Sequence, residues 1–274
     1  MLGHDVHGAA ETAGHEVIAL ARAELDVTDE QAVSSAIDRA RPDVVVNCAA
    51  WTDVDGAEAS EPDATAVNGD GTGHVALAAA RAGAWTIHIS SDYVFDGAKT
   101  EPYVETDAPR PLSAYGRSKL AGELAVAQAA PDAHTIVRSS WLFGPGGPCF
   151  PATILRLATE REELTVVDDQ VGCPTFTGHL AQALIELSAS PARPGGIVHV
   201  AAAGSCSWYE LAVQIVTAAG LPCRVNPGST DELGRPAPRP PYSVLVSERG
   251  PEVPRLAHWR DGLAEFMAAG VPVS

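Results

Sequence analysis

Asp43-Val44-Val45-Val46-Asn47 is a β-branched run without polar alternation, the pattern of a parallel strand covered on both faces. Two similar stretches follow it, Trp85-Thr86-Ile87-His88-Ile89 and His134-Thr135-Ile136-Val137-Arg138. His15-Glu16-Val17-Ile18-Ala19-Leu20 precedes it and reads as a short buried strand. Helical stretches separate these runs: one near residues 29–40, with Thr28 or Asp29 as its N-cap, and a long Ala-rich one at about 62–82. Strands alternating with helices imply right-handed βαβ units, so the expected fold class is α/β with a doubly wound, mostly parallel sheet. Ligands of such sheets bind outside the carboxyl ends of the strands, where Asn47-Cys48-Ala49-Ala50 and Ser90-Ser91-Asp92 fall.

Beyond residue 143 the alternation breaks down. Phe143-Gly144-Pro145-Gly146-Gly147-Pro148 is a breaker cluster and reads as a loop. A helix is expected at about 150–160, a strand at Leu164-Thr165-Val166-Val167-Asp168, and a return to the main sheet at Ile197-Val198-His199-Val200. The Pro-rich stretch Arg235–Pro241 reads as an ordered loop rather than a disordered linker, because Tyr242-Ser243-Val244-Leu245 follows it directly.

Composition narrows the function. Hydrophobic residues make up 46% and charged residues 19% of the 274, which suits a soluble chain with a real core. The net charge of −17 argues against wrapping nucleic acid or lying on an anionic membrane. A nucleotide substrate stays open, since it needs only a locally basic pocket. The five cysteines show no metal-ligand spacing, and an odd count fits reduced thiols in a cytoplasmic protein. Met1-Leu2-Gly3-His4-Asp5 has no basic region leading into an apolar stretch, so no signal peptide is expected, and no apolar run approaches the ~20 residues of a membrane span.

The chemistry is concentrated in Tyr115-Gly116-Arg117-Ser118-Lys119, 24 residues after Ser91. Four apart on a helix, Tyr115 and Lys119 share a face. An ammonium beside the phenol is expected to lower its pKa from ~10 and make it a usable proton donor. Taken alone, this pair could equally be a buried Tyr and a solvated Lys on one helix. The strand-end Ser91 makes three groups that could converge on one carbonyl oxygen, and a carbonyl/alcohol oxidoreductase is expected. Asp168 and Asp169 are adjacent carboxylates, but no His-x-x-x-His or comparable set accompanies them; a structural role is expected and no metal site is assigned.

Asp26-Val27-Thr28-Asp29, Asn47–Thr52, Ser90–Gly97, Arg138–Trp141, Asp169–Thr175 and Arg239–Leu245 join the tyrosine motif in a pattern that covers essentially the whole chain. In these residues the sequence resembles the dTDP-4-dehydrorhamnose reductase family, within the extended short-chain dehydrogenase/reductase superfamily. The resemblance implies a Rossmann-type sheet with a smaller, interleaved substrate-binding domain. Residues 1–142 would bind the dinucleotide, with returning segments near 176–203. Residues 143–175 and 204–274 would mainly bind substrate. The implied reaction is reduction of the C4 ketone of a dTDP-bound 6-deoxy-L-hexose by NADPH or NADH. Ser91 would hydrogen-bond the C4 oxygen, Tyr115 would protonate it, and Lys119 would hold the nicotinamide ribose and depress the Tyr115 pKa. Leu2, Gly3, Arg22, Asp26, Val27, Cys48, Ala49, Ala50 and Thr52 fall where the family meets its cofactor. Asp92, Tyr93 and Trp141 fall where it meets the sugar. Apart from the resemblance, Arg161 and Arg239 are candidates to meet the substrate diphosphate, which suits a bidentate guanidinium, or else form surface ion pairs. The resemblance also allows for Mg²⁺, with no ligands placed, and for a homodimer.

Three departures qualify these expectations. Met1-Leu2-Gly3 matches only the end of the family's glycine turn, so an upstream strand with two glycines is expected, seated between the strands at 15–20 and 85–89. A degenerate homologue without cofactor, similar to the regulatory subunit of methionine adenosyltransferase, is the rival reading. Ala21-Arg22 stands where many relatives carry an acid, which favours a 2′-phosphate and hence NADPH. Pro148-Cys149 replaces an Asn pair near the sugar pocket, so a related antibiotic-pathway sugar of the dihydrostreptose type stays open.

Overall fold

The computed structural model describes residues 1–191 and 193–270. Its main sheet has four parallel strands in sequential order: β1 (Val44–Asn47), β2 (Trp85–Ser91), β3 (His134–Ser139) and Gly196–His199. The register aligns Asn47 with His88, Ser91 with Ser139, and Arg138 with His199. Ile87 and Ile89 of β2 and Val137 of β3 pack with the helices Leu2–Thr12 and Thr177–Ala189 on one face. Val45, Ile136 and Ile197 pack on the other, against helices Glu30–Ala40, Thr72–Arg81 and Ala114–Ala129. The sheet is therefore covered on both faces, as its near-continuous apolar strands require.

Most elements arise as their sequences predict. The helix Glu30–Ala40 starts at an Asp29 cap whose carboxylate accepts from the Ala32 amide, which decides between Thr28 and Asp29. The Ala-rich stretch is α-helical over Glu61–Thr65 and Thr72–Arg81, with a π-helical turn at Ala66–Gly71 between them. The helix Phe150–Glu160, the strand Glu163–Val167 and the return of Gly196–His199 to the sheet also form.

The strand expected at 15–20 does not. Residues 15–20 are irregular, Ile18 and Leu20 are exposed, and the segment joins no sheet among the described residues. An apolar run becomes a strand only where a neighbour takes up its backbone groups, and none does so here. The expected seat for a further strand between 15–20 and 85–89 is also wrong. β2 is flanked by β1 on one side and β3 on the other, so β1 and Gly196–His199 are the two edge strands of the described sheet, and no gap lies beside β2.

A second core lies beyond the strand ends. Phe143, Ile154, Leu164, Leu211, Ile215, Trp259 and Phe266 pack around the parallel pair of Glu163–Val167 with Arg224–Gly228. The Pro-rich loop is ordered. Val171 donates its amide to Pro241 O and Ser243 donates to Val171 O, while Tyr103 donates to Val244 O and Val246 to Tyr103 O. This segment thus straps the second core to the main sheet. No helix among the described residues is long and apolar enough to cross a membrane.

Beneath the strand ends lies a buried ion pair. Arg138 of β3 donates to Glu123 of the helix Ala114–Ala129 through Nε at 2.8 Å and Nη2 at 2.6 Å. Ser90 Oγ donates to the same carboxylate at 2.5 Å, and the guanidinium lies 5.0 Å from the Phe95 ring centroid. Removing one partner of such a pair strands the other charge in the core and costs about 3–5 kcal/mol. Glu123→Ala should therefore lower the urea-unfolding free energy by about that amount, and a loss below ~1 kcal/mol would show that the pair does not hold helix to sheet.

Candidate active site

The reactive residues come from β2, the turn after it, and one helix. β2 ends at Ser91, which accepts from the Tyr93 amide and so starts the short helix Asp92–Val94. Ser113 caps the helix Ala114–Ala129 by accepting from the Gly116 amide. A Cβ on Gly116 would collide with the Tyr93 carbonyl, so glycine at this position lets the helix press against the turn. Tyr115 lies edge-on to Tyr93 with ring centroids 5.6 Å apart.

Tyr115 lies beside Ser91 at the end of β2, and Lys119, one helical turn on, reaches the same strand but acts differently from expectation. Its Nζ is buried and donates to Ile89 O at 2.7 Å, which pins the helix to β2 and leaves two further N–H donors. Burial lowers the ammonium's pKa to about 8 against the pull of Glu123 and Cys48. The phenol of Tyr115 is not depressed. Burial pushes it up to about 12, with the nearby Ser91 hydroxyl opposing and Asp92 adding to the rise. The ammonium is aimed at the β2 backbone, so it does not offset the burial of the phenol. Tyr115 is accordingly a neutral acid near pH 7, the form that gives a proton away.

Asp92 is buried and engages hydroxyls on both of its oxygens. It accepts from Ser91 Oγ at 3.0 Å and from Ser243 Oγ of the strap at 2.6 Å. Its carboxyl therefore sits behind Ser91. Burial raises its pKa to about 7, although the Ser243 and Ser91 hydroxyls lower it. Burial also pushes Tyr93 up, and Asp92 adds to this while Arg239 pulls it down.

Trp141 holds a left-handed backbone at φ 49°, and its indole stacks on Trp208 with centroids 3.5 Å apart. Gly172 packs against the same indole, where a Cβ would collide. Such strain in a non-glycine residue persists only where surrounding packing fixes it. Arg239 is paired with Asp55 through both Nη atoms, at 3.1 and 3.0 Å. Arg161 is exposed at the end of the helix Phe150–Glu160. Asp168 and Asp169 accept from Ser207 Oγ and from Thr230, so both are structural.

The groups expected to meet a dinucleotide fall along the β1 end. The helix Leu2–Thr12 has no side-chain cap at its N-terminus, and a Cβ on Gly3 would lie 3.6 Å from Cys48 Cβ. Uncapped amides beside the Cys48–Ala50 backbone suit a pyrophosphate. Leu2 itself is buried in the core, so its backbone alone is available there. Asp26 accepts from the Thr28 amide and hydroxyl, and these bonds lower its pKa. Val27 is half-buried, and Arg22 and Thr52 are exposed. The donor set fits a dinucleotide.

Sequence reasoning missed Asn68. Lodged in the π-helical turn, it accepts from the Trp51 amide and donates to Trp51 O and Ser118 Oγ, tying the loop after β1 to the tyrosine helix. The signal was present in Val67-Asn68-Gly69-Asp70-Gly71, a poor helix-forming stretch inside an Ala-rich helix.

Comparison with known proteins agrees with this geometry. Residues 1–271 match the family model described as RmlD substrate binding domain. The chain is 44% identical over 275 residues to a dTDP-4-dehydrorhamnose reductase of Streptomyces griseus, covering 98% of this chain and 90% of the relative. It is 42% identical to the spore coat polysaccharide biosynthesis protein SpsK of Bacillus subtilis, over 97% of this chain and 93% of the relative. A crystal structure of dTDP-4-dehydrorhamnose reductase from Bacillus anthracis in complex with NADP superposes with a TM-score of 0.94 at 36% identity, covering 98% and 95% of the two chains.

The Asp92 environment has a pH signature. A carboxyl raised from 3.8 to about 7 favours the folded state fully below pH ~4 and loses that contribution as the pH rises to ~7. The unfolding free energy of the protein relative to Asp92→Asn should fall across that window and then level off. A difference constant from pH 4 to 8 would show that Asp92 ionises as freely folded as unfolded.

Proposed function

Because the chain belongs to the RmlD substrate binding domain family, we infer that it is an oxidoreductase that reduces the C4 ketone of dTDP-4-dehydro-L-rhamnose to give dTDP-L-rhamnose. The observation that carries this reading is the convergence of Ser91, Tyr115 and Lys119 at the end of β2, in a chain so similar to reductases of this name. NADPH is the proposed reductant, by analogy with the NADP complex of the Bacillus anthracis relative. When bound, it supplies the hydride.

The chain's own residues do the rest. Tyr115, neutral at pH 7, gives its phenolic proton to the C4 oxygen. Ser91 holds that oxygen by turning its single hydroxyl hydrogen to it from Asp92, while its Oγ stays held by the Tyr93 amide. Lys119 is already anchored on Ile89 O and offers its two remaining N–H groups to the ribose. The uncapped start of the helix Leu2–Thr12 takes the pyrophosphate, and exposed Arg22 stands ready for the 2′-phosphate. Tyr93 and Trp141 bound the sugar, and Arg239 faces the substrate diphosphate. Among the described residues no three His, Cys, Asp or Glu side chains converge as a ligand set, and no Mg²⁺ enters this reading.

Positioned proton transfer is worth about 10²–10⁴-fold in rate. Tyr115→Phe removes the acid and keeps the ring, so steady-state turnover should fall at least ~10²-fold. NADPH affinity, titrated by nicotinamide fluorescence, should stay near that of the unaltered protein. Near-normal turnover would remove Tyr115 from the proton-donor role.

A further inference from the structure

Helix Val54–Ala59 follows the cofactor-side loop of the main sheet, and Arg235 and Arg239 belong to the Pro-rich strap of the second core. One carboxylate joins them. Asp55 Oδ1 accepts from Arg239 Nη1 at 3.1 Å and from the Ala237 amide at 3.1 Å. Asp55 Oδ2 accepts from Arg239 Nη2 at 3.0 Å and from Arg235 Nη1 at 3.2 Å. Arg239 Nη1 also donates to Ala237 O at 2.9 Å.

The guanidinium of Arg239 is thus gripped end-on. Its Nε–H and the second Nη2–H meet no carboxylate or carbonyl among the described residues; they form one two-pronged edge, with the Tyr93 hydroxyl as the side-chain group in contact with Arg239 there. Arg239 also lies close enough to Tyr93 to lower that phenol's pKa against the larger effect of burial. We propose that Asp55 is a positioning residue for substrate binding: it holds Arg239 so that this second edge, beside Tyr93, takes a phosphate oxygen pair of the nucleoside diphosphate.

Charge and exposure support the assignment. Two guanidinium groups and one carboxylate leave the cluster a single net positive charge, in a chain whose total is −17. A diphosphate approaching this chain therefore meets local attraction in a repulsive field. Arg239 is 11% exposed and Asp55 27%, so the pair is partly withdrawn from water and keeps its geometry better than a surface pair. Burial alone would raise the Asp55 carboxyl. The Arg239 bond, the Ala237 amide and both guanidinium charges outweigh it and hold Asp55 ionised.

This inference rests on the reading of Arg239 as the diphosphate ligand, and the test separates the two. The probe is dTDP, titrated against the full chain, with sugar KM and kcat measured alongside. Asp55→Asn should raise the dTDP Kd and the sugar KM about tenfold, as expected for losing one charge-assisted hydrogen bond. Its kcat at saturating sugar and its NADPH affinity should change much less. Arg239→Gln should weaken dTDP at least as much, and Asp55→Asn added to Arg239→Gln should weaken it little further. If Arg239→Gln weakens dTDP but Asp55→Asn binds it normally or more tightly, the positioning role is overturned and the ligand role of Arg239 stands. If Arg239→Gln binds dTDP normally, both readings fail. Should Asp55→Asn prove too unstable to titrate, Asp55→Ser, which also removes the carboxylate, replaces it, and an unchanged dTDP Kd in that variant overturns the proposal.

Discussion

The buried pair of Glu123 and Arg138 fixes the height of the tyrosine helix over the sheet. Its carboxylate also takes the hydroxyl of Ser90, the residue just before Ser91, so helix, β2 and β3 meet at one node. Lys119 adds a second tie one helical turn earlier, through Ile89 O. Between them these bonds leave Tyr115 little freedom to slide along the strand end, and its distance from Ser91 is set before any substrate arrives. Preorganisation of this kind is where much of the catalytic advantage of a proton donor arises.

Seen from the site, the second core is held on by carboxylates of the first. Asp92 receives Ser243 and Asp55 receives Arg239 and Arg235, all from the Pro-rich strap and the segment that follows it. Each tie also bears on the chemistry, since Asp92 backs Ser91 and Arg239 borders Tyr93. A ketone being reduced needs a proton from a neutral phenol, the form a tyrosine already has near pH 7 and one that burial of Tyr115 favours further.

Much of this was legible in the residues. Val44–Asn47 announces a two-sided strand, Ser91 with Tyr115 and Lys119 points to the chemistry proposed above, and the helix Phe150–Glu160 falls on its expected bounds. What escaped depends on partners distant in sequence. Residues 15–20 have strand composition but lack a neighbour to pair with. Nothing in the tyrosine motif says that the ammonium of Lys119 will point at a strand carbonyl rather than offset the burial of the phenol. Asp55 and Arg239 are 184 residues apart, and only the folded strap makes them partners. Asn68 signals itself only as an awkward Asn in a helix until the turn of π-helix brings it to Trp51.

Under the function proposed above, hydride reaches C4 of a dTDP-bound 4-keto sugar with Tyr115 as the acid. The most direct measurement is a single turnover with NADPH deuterated at the transferable position, followed by proton NMR of the sugar product. The account predicts one deuterium at C4 of dTDP-L-rhamnose for each NADPH oxidised. Unoxidised NADPH, or deuterium at another carbon, would contradict it.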